Sequence, residues 1–250
     1  MRDDVDARLL DEIFIWFDRV DQLFSTWRDD SEVSRLAAGD LRWNDLSSEV
    51  QVVLDLCDRV TELSRGAFDI RVGADPRVTP RAGLGRIDPS GLVKGWALDR
   101  AAERLRASGV TSFAIAAGGD IVTAGRPAPT HGWRIGIQHP WQQDKVAAVV
   151  EVSDVGVATS GRYERGDHII DPRTGRAAVG VTSVTVIAED LALADGFATA
   201  ALVLGADGAR WLTEDVGVAA FVIDDEASVV VNDAFAELRC ADTIQPNILS

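Results

Sequence analysis

Residues 6–24 place Leu10, Ile13, Phe14 and Phe17 on one stripe, with Val20 extending it, which is the spacing of an amphipathic helix. Phe24-Ser25-Thr26-Trp27 ends that helix, and residues 30–36 read as a capped turn of a second. Ser48 followed by Gln51 has the form of a capping box. It opens a helix with Val50, Val53, Leu54 and Cys57 on its apolar side, ending near Gly66. Residues 74–86 carry two prolines and two glycines and read as a loop.

Residues 87–120 are the stretch around which the chain is organised. An acidic turn at Asp88 leads to a lysine flanked by glycines, Gly91-Leu92-Val93-Lys94-Gly95. A helix is expected after it, with Leu98, Ala101, Ala102 and Leu105 on one face and Gly109 at its end. Residues 112–117 read as a buried strand running into Gly118-Gly119-Asp120, where paired glycines let backbone approach closely. Strands are expected over 133–137, 146–152, 155–158 and 181–188. The polar, glycine-punctuated segment 159–178 lies among them, and a long polar loop of this kind is more often functional than idle. An alanine-rich helix spans 191–204, a short one 206–213, and a hairpin turns around Asp224-Asp225-Glu226. The tail from 234 onward carries no clear pattern. With no internal repeat and no boundary in composition, residues 1–250 are expected to form a single α+β (mixed α/β) domain.

A hydrophobic fraction of 46% is ample for a sizeable core. The net charge of −15 argues against nucleic acid as a partner, although local Lys and Arg or a metal ion can still hold a small phosphate. Two cysteines make no disulfide framework. No run of about 18 apolar residues suggests a transmembrane segment, and the acidic start MRDDVDARLL lacks a signal-peptide pattern. A cytoplasmic location is expected.

Candidate chemistry is sparse but specific. Asp195 and Thr199 lie four apart on one helix, so both oxygens face the same way. A carboxylate with a hydroxyl suits a hard cation such as Mg²⁺, while a satisfied polar pair on a core helix is the plain alternative. The neighbours of Asp195 are small or apolar, so a buried carboxylate there needs a compensating partner. His168 could be structural or catalytic; Lys94 could meet a phosphate or cap a turn. Asp69 and Asp88 follow glycine-bearing turns. No Ser-His-Asp spacing, Cys-x-x-Cys, Walker A loop or GxGxxG occurs.

In this order the pieces resemble the ApbE family, the FAD:protein FMN transferases. The matching segments are Phe24-Ser25-Thr26-Trp27 with Asp30-Ser31 and Ser34-Arg35-Leu36; Gly66-Ala67-Phe68-Asp69; Asp88 through Gly95; Gly118-Gly119-Asp120; Ser160-Gly161-Arg162-Tyr163 with His168 to Gly175; and Ala194-Asp195 to Thr199 with Gly205. The resemblance implies mixed sheets with packed helices and an FAD cleft between two lobes. It implies transfer of FMN from FAD to a Thr hydroxyl of an acceptor flavoprotein through a phosphoester, with AMP released. Ala67, Phe68, Asp69, Asp88, Lys94, Gly118, Gly119 and Ile170 would bind FAD. Asp195 and Thr199 would hold Mg²⁺ together with the Gly91 carbonyl, and His168 would be the base, with Asp88 or Asp69 in reserve. Members usually carry a strand with a Met-Gly-Thr-like turn ahead of the first helix, and here that segment is expected to be missing. Hydrolysis of FAD to FMN and AMP, or flavin binding without turnover, are the alternative outcomes for such a site.

Overall fold

The computed structural model describes residues 6–71, 87–162 and 169–240. Helix α1 (Ala7–Phe24) starts where the Asp6 carboxylate accepts the Arg8 N–H, and it buries Ile13, Trp16, Val20, Leu23 and Phe24. Leu10 and Phe14 stay exposed, because the buried face is rotated toward Trp16. That indole N–H donates to the Ala97 carbonyl at 2.9 Å. Helix α2 (Glu32–Ala38) is capped by Ser31, whose hydroxyl accepts the Ser34 N–H. Helix α3 (Ser48–Leu63) is capped one residue earlier than the pattern suggests, by Ser47. Glu32 accepts the Ser47 N–H at 2.8 Å, and Gln51 donates its amide to the Trp43 and Leu46 carbonyls instead of closing a capping box.

Helix α4 (Ser90–Ala107) holds Gly91 and Gly95 inside its first turns, whereas the sequence places the start of the helix after the glycine-flanked lysine. The reason is tertiary. A Cβ on Gly95 would lie 2.5 Å from the Leu191 carbonyl oxygen, so its absence lets two helices touch backbone to backbone. Strands β1 (Phe113–Ala117) and β2 (Asp120–Ala124) form a hairpin. It turns on Gly118 and Gly119, with φ of +54° and +87°. β1 is an edge strand: Phe113 is buried, but Ala114, Ala116 and Ala117 are exposed, against the expectation of a buried strand.

Strands β3 (Trp133–His139) and β4 (Gln142–Val152) make a separate hairpin. β5 (Gly156–Gly161) follows, then the two-residue pair β6 (Ile170–Asp171) and β7 (Arg176–Ala177), and β8 (Val181–Ala188). Helix α5 (Leu191–Leu204) continues through a short α6 (Gly208–Trp211) toward β9 (Ala219–Asp224) and β10 (Val229–Val231). Helix α7 (Asp233–Leu238), unforeseen in the tail, is capped by Asn232.

Six strands form one antiparallel sheet in the order β1-β2-β5-β8-β9-β10. On one face, Ala158, Val184, Val186, Ala220 and Val222 pack under the helices with Leu92, Leu98 and Leu202. On the other, Val157, Ile187, Phe221 and Ile223 meet Ile137 and Val150 of the β3–β4 hairpin and Phe235 of α7. β8 lies in the middle and is buried without a break from Val181 to Ile187. A strand covered on both faces is buried at consecutive positions instead of alternate ones, and here the run takes in the polar Thr182, Ser183 and Thr185 as well as the valines. The helical stretch Leu191–Val216 is long and apolar enough to cross a membrane by length and composition, and 72% of its most apolar window is buried inside the protein, as in a core helix.

Candidate functional site

The cleft forms where α4, α5 and β5 meet the segment after α3. Its volume is about 420 Å³, within the size range of small-molecule sites. Ala67, Phe68, Asp69, Asp88, Gly91, Lys94, Gly118, Ile170, Asp195 and Thr199 all line it. Gly119 shapes the neighbouring turn without lining the cleft. His168 lies outside the described residues, while Ile169 and Ile170, which follow it, are cleft residues.

Packing of α4 against α5 brings the charged groups together. Asp195, 3% exposed, points from α5 to α4, and its Oδ2 accepts the Gly95 N–H at 3.3 Å. Lys94 Nζ stands 3.9 Å from Asp195 Oδ1 and 2.9 Å from Asp120 Oδ2. The shorter contact is close enough to be an ion pair. Lys94 also donates to the Gly118 carbonyl at 3.4 Å. Asp120 is fully buried and its Oδ1 accepts the Thr159 N–H at 3.2 Å.

Burial, and then the neighbouring Asp120 charge, push the Asp195 carboxyl well above the ordinary range. Burial also raises Asp120, and Lys94 offsets part of that rise. Two buried carboxylates thus face one ammonium. The cluster accommodates one more positive charge, a proton or a cation. Among the described residues no group of three or more His, Cys, Asp and Glu could hold a metal. A cation here would need a mixed oxygen set, which suits a hard ion that keeps waters and shares substrate phosphates.

Thr199 stands one turn beyond Asp195 on α5 and is half-buried at the cleft wall. Its hydroxyl is 3.0 Å from Ser160 Oγ on β5. A Cβ on Gly91 would come within 3.4 Å of Thr199 Oγ1 and 3.2 Å of Phe68 Cε2. The missing side chain leaves a small oxygen-lined space between α4 and α5. The donor set and this space fit a Mg²⁺ ion. Nearby, the Asp88 carboxylate accepts the Ser90 N–H at 3.1 Å and Asp69 accepts the Arg71 N–H at 2.9 Å, so both side chains are held by local turns. The Ser64 hydroxyl accepts the buried Phe68 N–H at 3.0 Å, fixing the aromatic ring's backbone.

Asp120 and Ser160 belong to the site and were not singled out from sequence as functional. Asp120 follows a glycine pair that carried a site signal. Ser160 lies in the polar segment 159–178 and opens one of the segments that resemble the family, but its pairing with Thr199 exists only because the fold sets β5 beside α5.

Known proteins share this arrangement of chain. The ApbE family model matches residues 2–78 and 78–222. The FAD:protein FMN transferase of Klebsiella pneumoniae (strain 342) is 30% identical over 261 residues, covering 84% of this chain and 75% of that protein. The flavin transferase ApbE from Vibrio cholerae superposes with a TM-score of 0.80 at 27% identity, over 95% of this chain and 93% of that one. The ApbE protein from Thermotoga maritima superposes at 0.83 with 26% identity, over 96% and 94%. With the family match running over most of its length, the chain belongs to the ApbE family.

Proposed function

We propose that this protein is an FAD:protein FMN transferase: it moves FMN from FAD to a Thr hydroxyl of an acceptor flavoprotein and releases AMP. The observation that carries the reading is the convergence of Lys94, Asp195 and Thr199 on one cleft, in a chain whose relatives bear that name.

Each group has a role that its surroundings suit. Ala67, Phe68 and Ile170 supply the apolar surface of the cleft against which a flavin ring packs and from which water is excluded. Asp69 and Asp88, held by their turns, are polar contacts for FAD. Lys94 presents a point charge to the pyrophosphate. Gly118 keeps the β1–β2 turn bare, so backbone can approach the substrate closely. Asp195, Thr199 and the Gly91 carbonyl would hold Mg²⁺, which supplies positive charge against phosphate oxygens as the leaving group departs. Ser160 fixes the Thr199 hydroxyl from β5.

In the transfer step the acceptor Thr oxygen bonds to the FMN phosphorus and the phosphorus–oxygen bond to AMP breaks. The Thr proton passes to a base, for which His168 is assigned on the ground that Ile169 and Ile170 beside it line the cleft. Asp88 and Asp69 are the reserve candidates.

The test is AMP release from FAD and Mg²⁺, with and without an acceptor flavoprotein. Transfer predicts AMP in step with covalent flavin on the acceptor. AMP at the same rate without acceptor would make the protein a pyrophosphatase, and FAD left intact in both would make it a binding protein only.

A further inference from the structure

We propose that Asp120 is a positioning residue: it holds the Lys94 ammonium off Asp195 and so keeps the Asp195 carboxylate open to a divalent cation. This rests on the reading of Asp195 and Thr199 as the cation's ligands.

The geometry is uneven in a way that matters. One ammonium serves two buried carboxylates, yet it lies 2.9 Å from Asp120 and 3.9 Å from Asp195. Coulomb attraction falls with distance, and a fully formed Lys94–Asp195 pair would cancel the charge that attracts a cation. Asp120 is well placed to prevent that pairing. It is anchored at the start of β2, its other oxygen accepts the Thr159 N–H, and the adjoining Gly118 carbonyl takes a further bond from the same ammonium. The next residue after Thr159 is Ser160, which meets Thr199. One buried carboxylate thereby ties the lysine of α4 to the strand that supports the second cation ligand.

The same lysine competes with the cation for Asp195, and Asp120 decides the competition. Among the described residues, removing the Asp120 charge while keeping its shape leaves Asp195 as the carboxylate beside Lys94. The net charge offered to a cation then falls by one unit.

The experiment titrates Mn²⁺, a probe for oxygen-ligand Mg²⁺ sites, into the FAD-free protein and follows the free-ion paramagnetic signal. Thermal melts of each variant are recorded alongside. The wild type is expected to bind Mn²⁺, and Asp120→Asn to bind at least about tenfold more weakly. Asp120→Asn with Lys94→Met should recover most of that affinity, a pattern that a merely structural role for Asp120 does not produce. An Asp120→Asn protein that binds Mn²⁺ within about twofold of wild type overturns the inference and leaves the transferase reading intact. Absence of Mn²⁺ binding by the wild type contradicts the cation ligands themselves, and the inference with them. Should Asp120→Asn not fold, Lys94→Met alone decides: binding at least as tight as wild type supports the competition, and a roughly tenfold loss overturns it.

Discussion

Asp195 on α5 accepts the backbone N–H of Gly95 on α4 at 3.3 Å, a contact between residues a hundred positions apart in the chain. The bond sits inside a helix, where the Gly95 N–H already has a place in its own ladder. Only close contact of the two helices makes it possible, and that contact depends on a residue without a side chain. Gly95→Ala would set a Cβ 2.5 Å from the Leu191 carbonyl oxygen and 2.9 Å from Ala192 Cα, both backbone atoms that cannot turn aside. The expected outcome is a loss of roughly 1–3 kcal/mol, as for other overpacked cores, read from chemical denaturation. Unchanged stability would mean that α4 and α5 are not held at this distance.

Thr199→Val keeps the shape of the side chain and removes its oxygen. Ser160 loses its 3.0 Å partner, a change worth about 1 kcal/mol at a half-buried position. Transfer should fall further than stability does, and excess Mg²⁺ should partly restore it. A variant that melts like the wild type and transfers at the wild-type rate would remove Thr199 from the cation's ligands.

The N-terminus of α5 carries a second device, separate from the cleft. Asp190 Oδ1 accepts the Leu193 N–H at 3.1 Å and Asp99 Oδ2 accepts the Ala192 N–H at 2.9 Å, so two carboxylates hold adjacent amides. Burial raises Asp99 from its ordinary 3.8 to about 7, the Ala192 N–H works against the rise, and the nearby Asp190 adds to it. The folded protein therefore keeps a proton that the unfolded chain releases between these values. Its contribution to stability is full below the unfolded value and is lost as pH rises through about 7. Asp99→Asn keeps an acceptor for Ala192 and abolishes the titration. Its melting temperature should decline less than that of the wild type between about pH 5 and pH 8. Parallel curves for the two proteins would contradict the assignment.

The existence of the main elements is legible in the sequence: the helix over 191–204 from its alanine-rich run, the strand over 181–188 from its β-branched residues, and the hairpin from the acidic turn at Asp224-Asp225-Glu226. The spacing over residues 6–24 gives the helix but not its buried face, since Ile13 and Val20 of the expected stripe are buried while Leu10 and Phe14 are exposed. The candidate site is legible for a different reason: Asp195 stands out as a carboxylate among alanines and Lys94 as a charge between glycines, and both line the same cleft. What remained hidden depends on partners distant in sequence. Gly91 and Gly95 fall ahead of the expected helix because glycine is a poor helix former, and only the contact with α5 explains them inside α4. Asp120 looks like the end of a turn, and its pairing with Lys94 exists only once β2 lies beside α4. β2 has a local signal in the β-branched run Ile121-Val122-Thr123, and α7 in the Asn232 cap and the buried Phe235, but both segments are too short for periodicity to mark them.

The account turns on Asp195. Wild type and Asp195→Ala should be incubated with FAD, Mg²⁺ and an acceptor flavoprotein, and covalent flavin on the acceptor followed by fluorescence in a denaturing gel. The wild type is expected to label the acceptor. Asp195→Ala, melting close to wild type, should lose roughly a hundredfold or more in rate, since charge supplied by a bound ion is worth several kcal/mol and about 1.4 kcal/mol is tenfold. An Asp195→Ala protein that labels the acceptor at the wild-type rate would contradict the central claim.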